Sequence, residues 1–225
     1  MREKMKLKTV SVVVFVLLIS IMVTAVNSYY TDHHSKMNVF TTGKVSIELN
    51  EPKYNSLENI KTRESLAPGE EIIKDPVITN TGKSDCFVFA EVKIPRSNRI
   101  FIDSNGKKLP VMLRNLFDFE GNSGWTLYSK SINDNHSKPY ESYIFSYSDG
   151  NRMTTLSPGE KTSSIIKNNK MKFANVIETD NFSKYEIPVT AYAIQTTDLL
   201  VSENGKVSPG DVYKAIYGQL RAERN

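Results

Sequence analysis

Apolar and polar side chains alternate along much of this chain, and that spacing limits the possible folds more than any other feature. The alternation runs through residues 45–49 and again through 87–94. A period of two places every second side chain on one face of an extended strand, whereas a helix repeats every three or four residues. Comparable stretches rich in β-branched and aromatic residues are 99–102, 142–147, 171–177 and 185–194. The body of the chain is therefore predicted to consist of strands.

Turn-forming residues separate these stretches, and no helical pattern lies between them. The turn signals are Asn80-Thr81-Gly82, Asn105-Gly106, 121–124, 149–151 and Pro158-Gly159. Strands without interleaved helices favour an all-β fold, an antiparallel β-sandwich of the jelly-roll kind. The region around 95–140 holds several turn signals and the single Trp125. We expect it to be an elaborated loop region of the same domain or a small subdomain.

Two similar pentapeptides, 66–70 and 156–160, share the pattern Leu-x-Pro-Gly-Glu. Proline followed by glycine suits the two central positions of a type II turn, because proline presets φ and glycine accepts a positive φ. Both are predicted to be structural turns that lead into strands. Their flanking residues do not match, so a duplicated domain is not favoured.

One helix is predicted, at the C-terminus. Ser208 offers an N-cap hydroxyl, Pro209 suits the first helical position, and Asp211 suits the positive end of the helix dipole. Apolar residues then recur every four positions at Val212, Ile216 and Leu220, with Tyr213 and Tyr217 on the neighbouring stripe. A short C-terminal α-helix is therefore expected to pack its apolar face on the sheets.

The N-terminus has the features of an export signal. Arg2, Lys4, Lys6 and Lys8 precede an apolar run at 10–23, and small residues follow at 24–28. An apolar run of this length is short for a membrane-spanning helix, which needs about 20 residues. Residues 1–25 are expected to be a secretory signal helix that a signal peptidase removes after Ala25, or after Ser28. The mature domain would then be 26–225, secreted to the cell surface or the extracellular matrix. A retained membrane anchor is the alternative, and membrane contact is expected only through that segment.

Charge and cysteine content exclude two further classes of protein. The chain has 29 Lys and Arg against 25 Asp and Glu, and the excess comes mostly from the first eight residues. The nearly neutral remainder provides no basic patch for a phosphate backbone, so a nucleic-acid partner is not expected. A lone Cys86 excludes a disulfide scaffold, and its neighbours Phe87-Val88-Phe89 predict that it is a buried small apolar residue.

Several strings in the chain together resemble the TasA/camelysin family, exported proteins of Gram-positive bacteria processed by a signal peptidase of the SipW type. The strings are Ser28-Tyr29-Tyr30-Thr31-Asp32, 38–52, 68–82, Trp125-Thr126-Leu127, 156–160 and 189–195. They cover nearly the whole expected mature chain. The pattern departs at Cys86, where an alanine is more usual, and after Glu160, where the chain is more polar.

The resemblance implies a secreted structural subunit of a biofilm-matrix or cell-surface fibre. Such subunits assemble when the mature N-terminal segment of one copy adds as a strand to the next copy, which satisfies unpaired main-chain groups at an open sheet edge. Residues 29–40 are the donor-strand candidate, with Tyr29, Tyr30, Val39 and Phe40 as apolar anchors. Pairing of this segment within its own sheet uses the same hydrogen bonds and stays open as the alternative. A fibre accessory protein is a further partner to consider.

The same family resemblance implies a second hypothesis, a cell-surface metalloendopeptidase. A catalytic zinc typically has three protein ligands and a water molecule. The chain contains only His33, His34 and His136, without a His-Glu-x-x-His motif, and adjacent histidines on a strand point to opposite faces. Asp32 and His33 are weak metal candidates. No catalytic residues and no cofactor are predicted, and zinc enters only under this alternative.

Overall fold

Eleven strands and one helix account for most of the residues that the computed structural model describes, namely 45–56, 66–135, 137–177, 185–198 and 207–222. All the strand pairings among them are antiparallel. The strands are β1 (Ile47–Asn50), β2 (Glu71–Ile73), β3 (Val77–Asn80), β4 (Cys86–Ile102), β5 (Lys108–Asn115), β6 (Phe117–Asp118), β7 (Trp125–Asn133), β8 (Tyr140–Tyr147), β9 (Lys170–Phe173), β10 (Val176–Ile177) and β11 (Val189–Gln195), and the helix is α1 (Pro209–Ala222). The all-β prediction and the C-terminal helix are confirmed, while the expected signal segment 1–25 lies outside the described residues.

Strand β4 organises the largest sheet because it has different neighbours along its length. Its first part pairs with β11 on one side and with β8 on the other, and β8 pairs in turn with β7. Beyond Pro95 it pairs with β5 and β10. Pro95 lies between Lys93, whose N–H bonds to the Pro188 carbonyl just before β11, and Arg96, the first residue paired with β5. A proline is tolerated there because its missing N–H falls where one neighbouring strand gives way to the next.

Two smaller sheets complete the core. Strand β1 pairs with β3, and β9 lies between β2 and β6. The larger cluster of buried residues draws on all three sheets, with Ile78 and Met171 from the small sheets and Val88 from β4 fully buried within it. Burial of this apolar surface is the main force that holds the sheets together.

The two faces of β4 contact different cores. Its even-numbered residues Val88, Ala90 and Val92 join the larger cluster, as a two-residue period requires. The odd-numbered Phe87 and Phe89 join a second cluster with Val212 and Ile216 of α1. The helix therefore covers the sheet face opposite the main core, which confirms the docking predicted from its apolar stripe.

The predicted turn and cap geometry is also present. Gly69 and Gly159 have φ of +87° and +81°, as the third position of a type II turn requires. In each turn the glutamate at 70 or 160 accepts a hydrogen bond from the backbone N–H three residues earlier, at 2.9 and 2.8 Å. At the start of α1, the Ser208 hydroxyl accepts the Asp211 N–H at 3.3 Å and donates to its carboxylate at 2.7 Å.

The region 95–140 differs from the expectation of an elaborated loop. It contains the second half of β4 together with β5, β6 and β7. Two of these strands, β5 and β7, lie at the margin of the β4-centred sheet, where many side chains meet solvent and the apolar alternation is weak. The turn residues in this region separate strands, as 103–107 and 121–124 do.

Candidate functional site

Strand β7 is an edge strand of the described sheet, and most of its side chains are partly or fully exposed. Among the described residues it pairs only with β8. The Arg96 N–H donates a hydrogen bond to the Pro139 carbonyl, and along an antiparallel strand the direction of the main-chain groups alternates from residue to residue. The main-chain groups of the odd-numbered β8 residues from 141 onward therefore bond to β4, and those of the even-numbered residues face β7. Their partners are Ser129, Ser131 and Asn133. The N–H and C=O groups of Lys130 and Ile132 therefore point outward, where no described residue hydrogen-bonds them.

Apolar side chains are exposed along this edge. Leu127 is 47% exposed and Ile132 is 56% exposed, whereas most large apolar residues of the described chain are buried. Lys130 is the only cation on β7. Natural proteins generally protect an edge strand with charge, bulges or cover, because unpaired main-chain groups beside apolar side chains recruit another strand. The nine residues of β7 span about 30 Å, long enough to pair with an extended segment of similar length.

A β-bulge sets the orientation of β7. The pairing register shifts between Leu127 and Ser129, which leaves Tyr128 as the extra residue. The Tyr128 ring lies edge-on to Phe89 at 5.6 Å and stacks on Tyr213 of α1 at 4.6 Å between ring centroids. Through the Tyr128 ring, the bulge therefore packs this end of β7 against α1.

A polar network supports the other end of β7. The carboxylate of Glu141, which is buried on β8, accepts hydrogen bonds from Tyr143 at 2.7 Å and from Asn115, and Lys130 lies 3.6 Å from it. Burial alone would raise the pKa of Glu141, but those hydrogen bonds and the charges of Lys130 and Arg96 outweigh it and hold this pKa below its usual value. Burial, together with the hydrogen bond to Glu141 and its charge, raises the pKa of Tyr143.

Strands β11 and β5 of the same sheet also pair on one side only among the described residues, and both are less suited to receive a partner. Strand β11 pairs with β4 alone, but Ala191 at its centre is fully buried. Strand β5 exposes Val111, yet the outward carbonyl of Leu113 already accepts a hydrogen bond from Arg96 at 3.0 Å. The β7 edge combines outward main-chain groups, exposed apolar side chains and access to solvent.

The site residues predicted from sequence all fall outside the described residues. These are Tyr29, Tyr30, Val39, Phe40, Asp32 and His33, and the remaining histidines, His34 and His136, lie outside the described residues as well. Within the described chain, no three side chains of His, Cys, Asp or Glu lie close enough to share a metal ion. Cys86 is described and is fully buried, as predicted; burial and the nearby charge of Asp85 raise its pKa to about 12.

The exposed edge itself was not found by sequence reasoning. Its apolar residues are Trp125 and Leu127 before the bulge and Ile132 after it, so the bulge shifts the alternation by one position. The sequence signal that could have revealed this edge is an apolar alternation between two turn segments. The alternation shifts by one position partway along and includes a lysine.

No described helix is both long enough and apolar enough to cross a bilayer. Comparison of the chain with protein-family models, with curated proteins and with solved structures gave no match.

Proposed function

We propose that this protein is a secreted structural subunit of an extracellular fibre, in the biofilm matrix or at the cell surface, and that it assembles by strand addition. The proposal includes a jelly-roll-like sandwich, in which the β4-centred sheet packs face to face on the two small sheets. The contribution of all three sheets to one buried cluster supports that arrangement.

The observation that carries the proposal is the accessible edge of β7. Lys130 and Ile132 direct main-chain groups outward, and Leu127 and Ile132 expose apolar surface beside them. An extended segment from another molecule would satisfy these groups and cover the apolar side chains. Because donor and acceptor are different parts of the chain, the contact is head to tail, and such a contact generates a filament where the rotation between successive copies does not close into a ring.

The proposed donor is the segment 29–40, which would become the N-terminal part of the chain after removal of residues 1–25. Its pattern of Tyr29, Tyr30, Val39 and Phe40 provides apolar anchors at both ends. The resemblance to the TasA/camelysin family, together with the export signal, supports assembly outside the cell. The segment precedes β1 along the chain, so the proposed donor and the β7 acceptor are separate parts of the sequence.

Electron microscopy of purified 26–225 tests the proposal. We expect filaments from 26–225 and soluble monomers from 41–225, which lacks the donor. Circular dichroism of both proteins checks that the deletion leaves the fold intact. A synthetic peptide of residues 29–40 should bind 41–225 without polymerising it, because the peptide supplies a strand but carries no acceptor. Persistent monomers of 26–225 at high concentration, unaffected by removal of the segment, would contradict the proposal.

A further inference from the structure

The position of a single charge on β7 restricts how a second copy can dock there. Lys130 is the only cation of the strand, and its main-chain groups point outward. Its side chain is 59% exposed, and its ammonium lies 3.6 Å from the Glu141 carboxylate on β8. The proposed donor 29–40 contains one acidic residue, Asp32. On the basis of the proposed function, we propose that the donor segment of a second copy pairs antiparallel with β7 and that Asp32 of the donor lies directly opposite Lys130.

The antiparallel direction follows from the sheet that receives the donor. Strands β4, β8, β11 and β7 are all antiparallel to their neighbours, and an added antiparallel strand continues the same hydrogen-bond pattern. Lys130 points its main-chain groups outward, so the residue opposite it exchanges two hydrogen bonds with it and their side chains lie on the same face. A lysine and an aspartate at that position attract each other at short range.

The same register brings one pair of apolar residues together, whereas Val39 and Phe40 would lie beyond Trp125, the first residue of β7. Two positions along β7 from Lys130 is Ile132, and two positions back along an antiparallel donor from Asp32 is Tyr30. Tyr30 therefore lies opposite Ile132, whose side chain is the most exposed apolar group of this edge. An aromatic residue opposite a β-branched one is a favourable cross-strand pair. A shift of the donor by two residues would place either His34 or Tyr30 opposite Lys130 and lose the charge match.

Lys130 also disfavours the simplest competing contact, in which the β7 strands of two copies pair with each other. A two-fold axis through Lys130 would place two lysines directly opposite, which is unfavourable. Such a contact would also be closed and would stop at a dimer. A dimer that forms without the donor segment would be evidence for that contact.

Charge reversal tests the register. In 26–225 we compare the Asp32→Lys variant, the Lys130→Glu variant and the double variant, with Lys108→Glu on the exposed part of β5 as the matched control. The measured quantity is the critical concentration for filament formation. Each single reversal should raise it about five- to tenfold, because attraction of a cross-strand pair becomes repulsion. The double variant should return to within about threefold of the unmodified chain, and Lys108→Glu should change nothing.

Lys130→Glu also places an acid beside Glu141, so the fold needs a separate check. A neutral Lys130→Gln variant separates loss of docking from loss of stability when it is combined with thermal unfolding of the Lys130 and Lys108 variants in the 41–225 background. Binding of the 29–40 peptide to 41–225 gives a second measurement that does not require polymerisation, and an Asp32→Lys peptide should bind about five- to tenfold more weakly. Recovery of its affinity on the Lys130→Glu protein would support the register.

Filaments of the unmodified chain that are insensitive to all three charge variants would overturn this register and leave the proposed function standing. Single variants that weaken assembly without recovery in the double variant would also overturn the pairing. Failure of the unmodified 26–225 to polymerise, together with failure of 41–225 to bind the peptide, would remove the proposed function and this inference with it.

Discussion

The Lys74 ammonium lies 3.0 Å from the Glu51 carboxylate; the Lys74 side chain is buried and the Glu51 side chain is 13% exposed. The ammonium also sits 3.8 Å from the centre of the Tyr54 ring. Next to Lys74, the Asp75 carboxylate accepts the backbone N–H groups of Lys53 and Tyr54. These contacts tie the turn after β1 to the residues between β2 and β3.

Removing one partner of this ion pair should strongly destabilise the protein. Lys74→Ala leaves Glu51 buried without its counter-charge, and we expect a loss of about 3–5 kcal/mol in the free energy of unfolding. The double variant Lys74→Met/Glu51→Gln removes both charges and should lose much less. Denaturant unfolding measures both. Lys167→Ala, which breaks an exposed pair with Glu120, is the control and should leave the midpoint unchanged. Equal effects of Lys74→Ala and Lys167→Ala would show that the buried pair has no special role.

Glu141 should make stability depend on pH in the acid range. Its pKa in the folded protein is held below the usual value, so its ionised form stabilises the fold above the unfolded-state pKa of about 4.3. That contribution is lost as the pH falls through the lower folded-state pKa. The stability difference between the unmodified chain and Glu141→Gln should therefore be constant above about pH 5 and shrink below about pH 4. Urea unfolding in the 41–225 background over this range measures it, and a difference that grows on acidification would contradict the assignment.

The two similar turns provide a matched pair of glycine substitutions. Gly159→Ala meets open space, so it should cost only the strain of a positive φ, about 1–2 kcal/mol. Gly69→Ala carries the same strain and also places its Cβ against the Asn175 amide oxygen. We expect Gly69→Ala to be the more destabilising in thermal unfolding. A further Asn175→Ala change should remove the excess cost of Gly69→Ala, and an unchanged excess would show that the close contact is not its cause.

Cys86 should be unreactive in the native protein. Its thiol is fully buried, and its pKa of about 12 keeps it protonated at neutral pH. Labelling with a disulfide reagent at pH 8 should proceed at the rate of unfolding and accelerate with added denaturant. Rapid stoichiometric labelling of the folded chain would contradict this account of the site.

The sequence predicted the parts of the fold that are buried on one face. Alternation identified β1, β8, β11 and the first half of β4, and the Ser208 cap identified the start of α1. The predicted strand at 171–177 is divided into β9 and β10, which pair in different sheets. The predicted strand at 99–102 continues from 87–94 through Pro95 as one strand, β4. Local spacing does not report which neighbour a strand will pair with, so neither result could be predicted from it.

The candidate site was harder to predict than the fold. The β7 edge depends on which strand ends at the margin of the sheet, and that is decided by pairings between residues far apart in sequence. Exposure of Leu127 and Ile132 likewise follows from the absence of a described neighbour beyond β7. The donor segment 29–40 follows from the family resemblance together with its apolar residues, and it stays a prediction.

Amide hydrogen exchange along β7, compared between soluble 41–225 and assembled 26–225, tests strand addition most directly. The outward N–H groups of Lys130 and Ile132 should exchange rapidly in the soluble protein and become protected at least about a hundredfold in filaments, because a second copy then hydrogen-bonds them. The inward N–H groups of Ser129 and Ser131 serve as the internal reference. Equally rapid exchange of Lys130 and Ile132 in both forms would contradict addition of a strand at this edge.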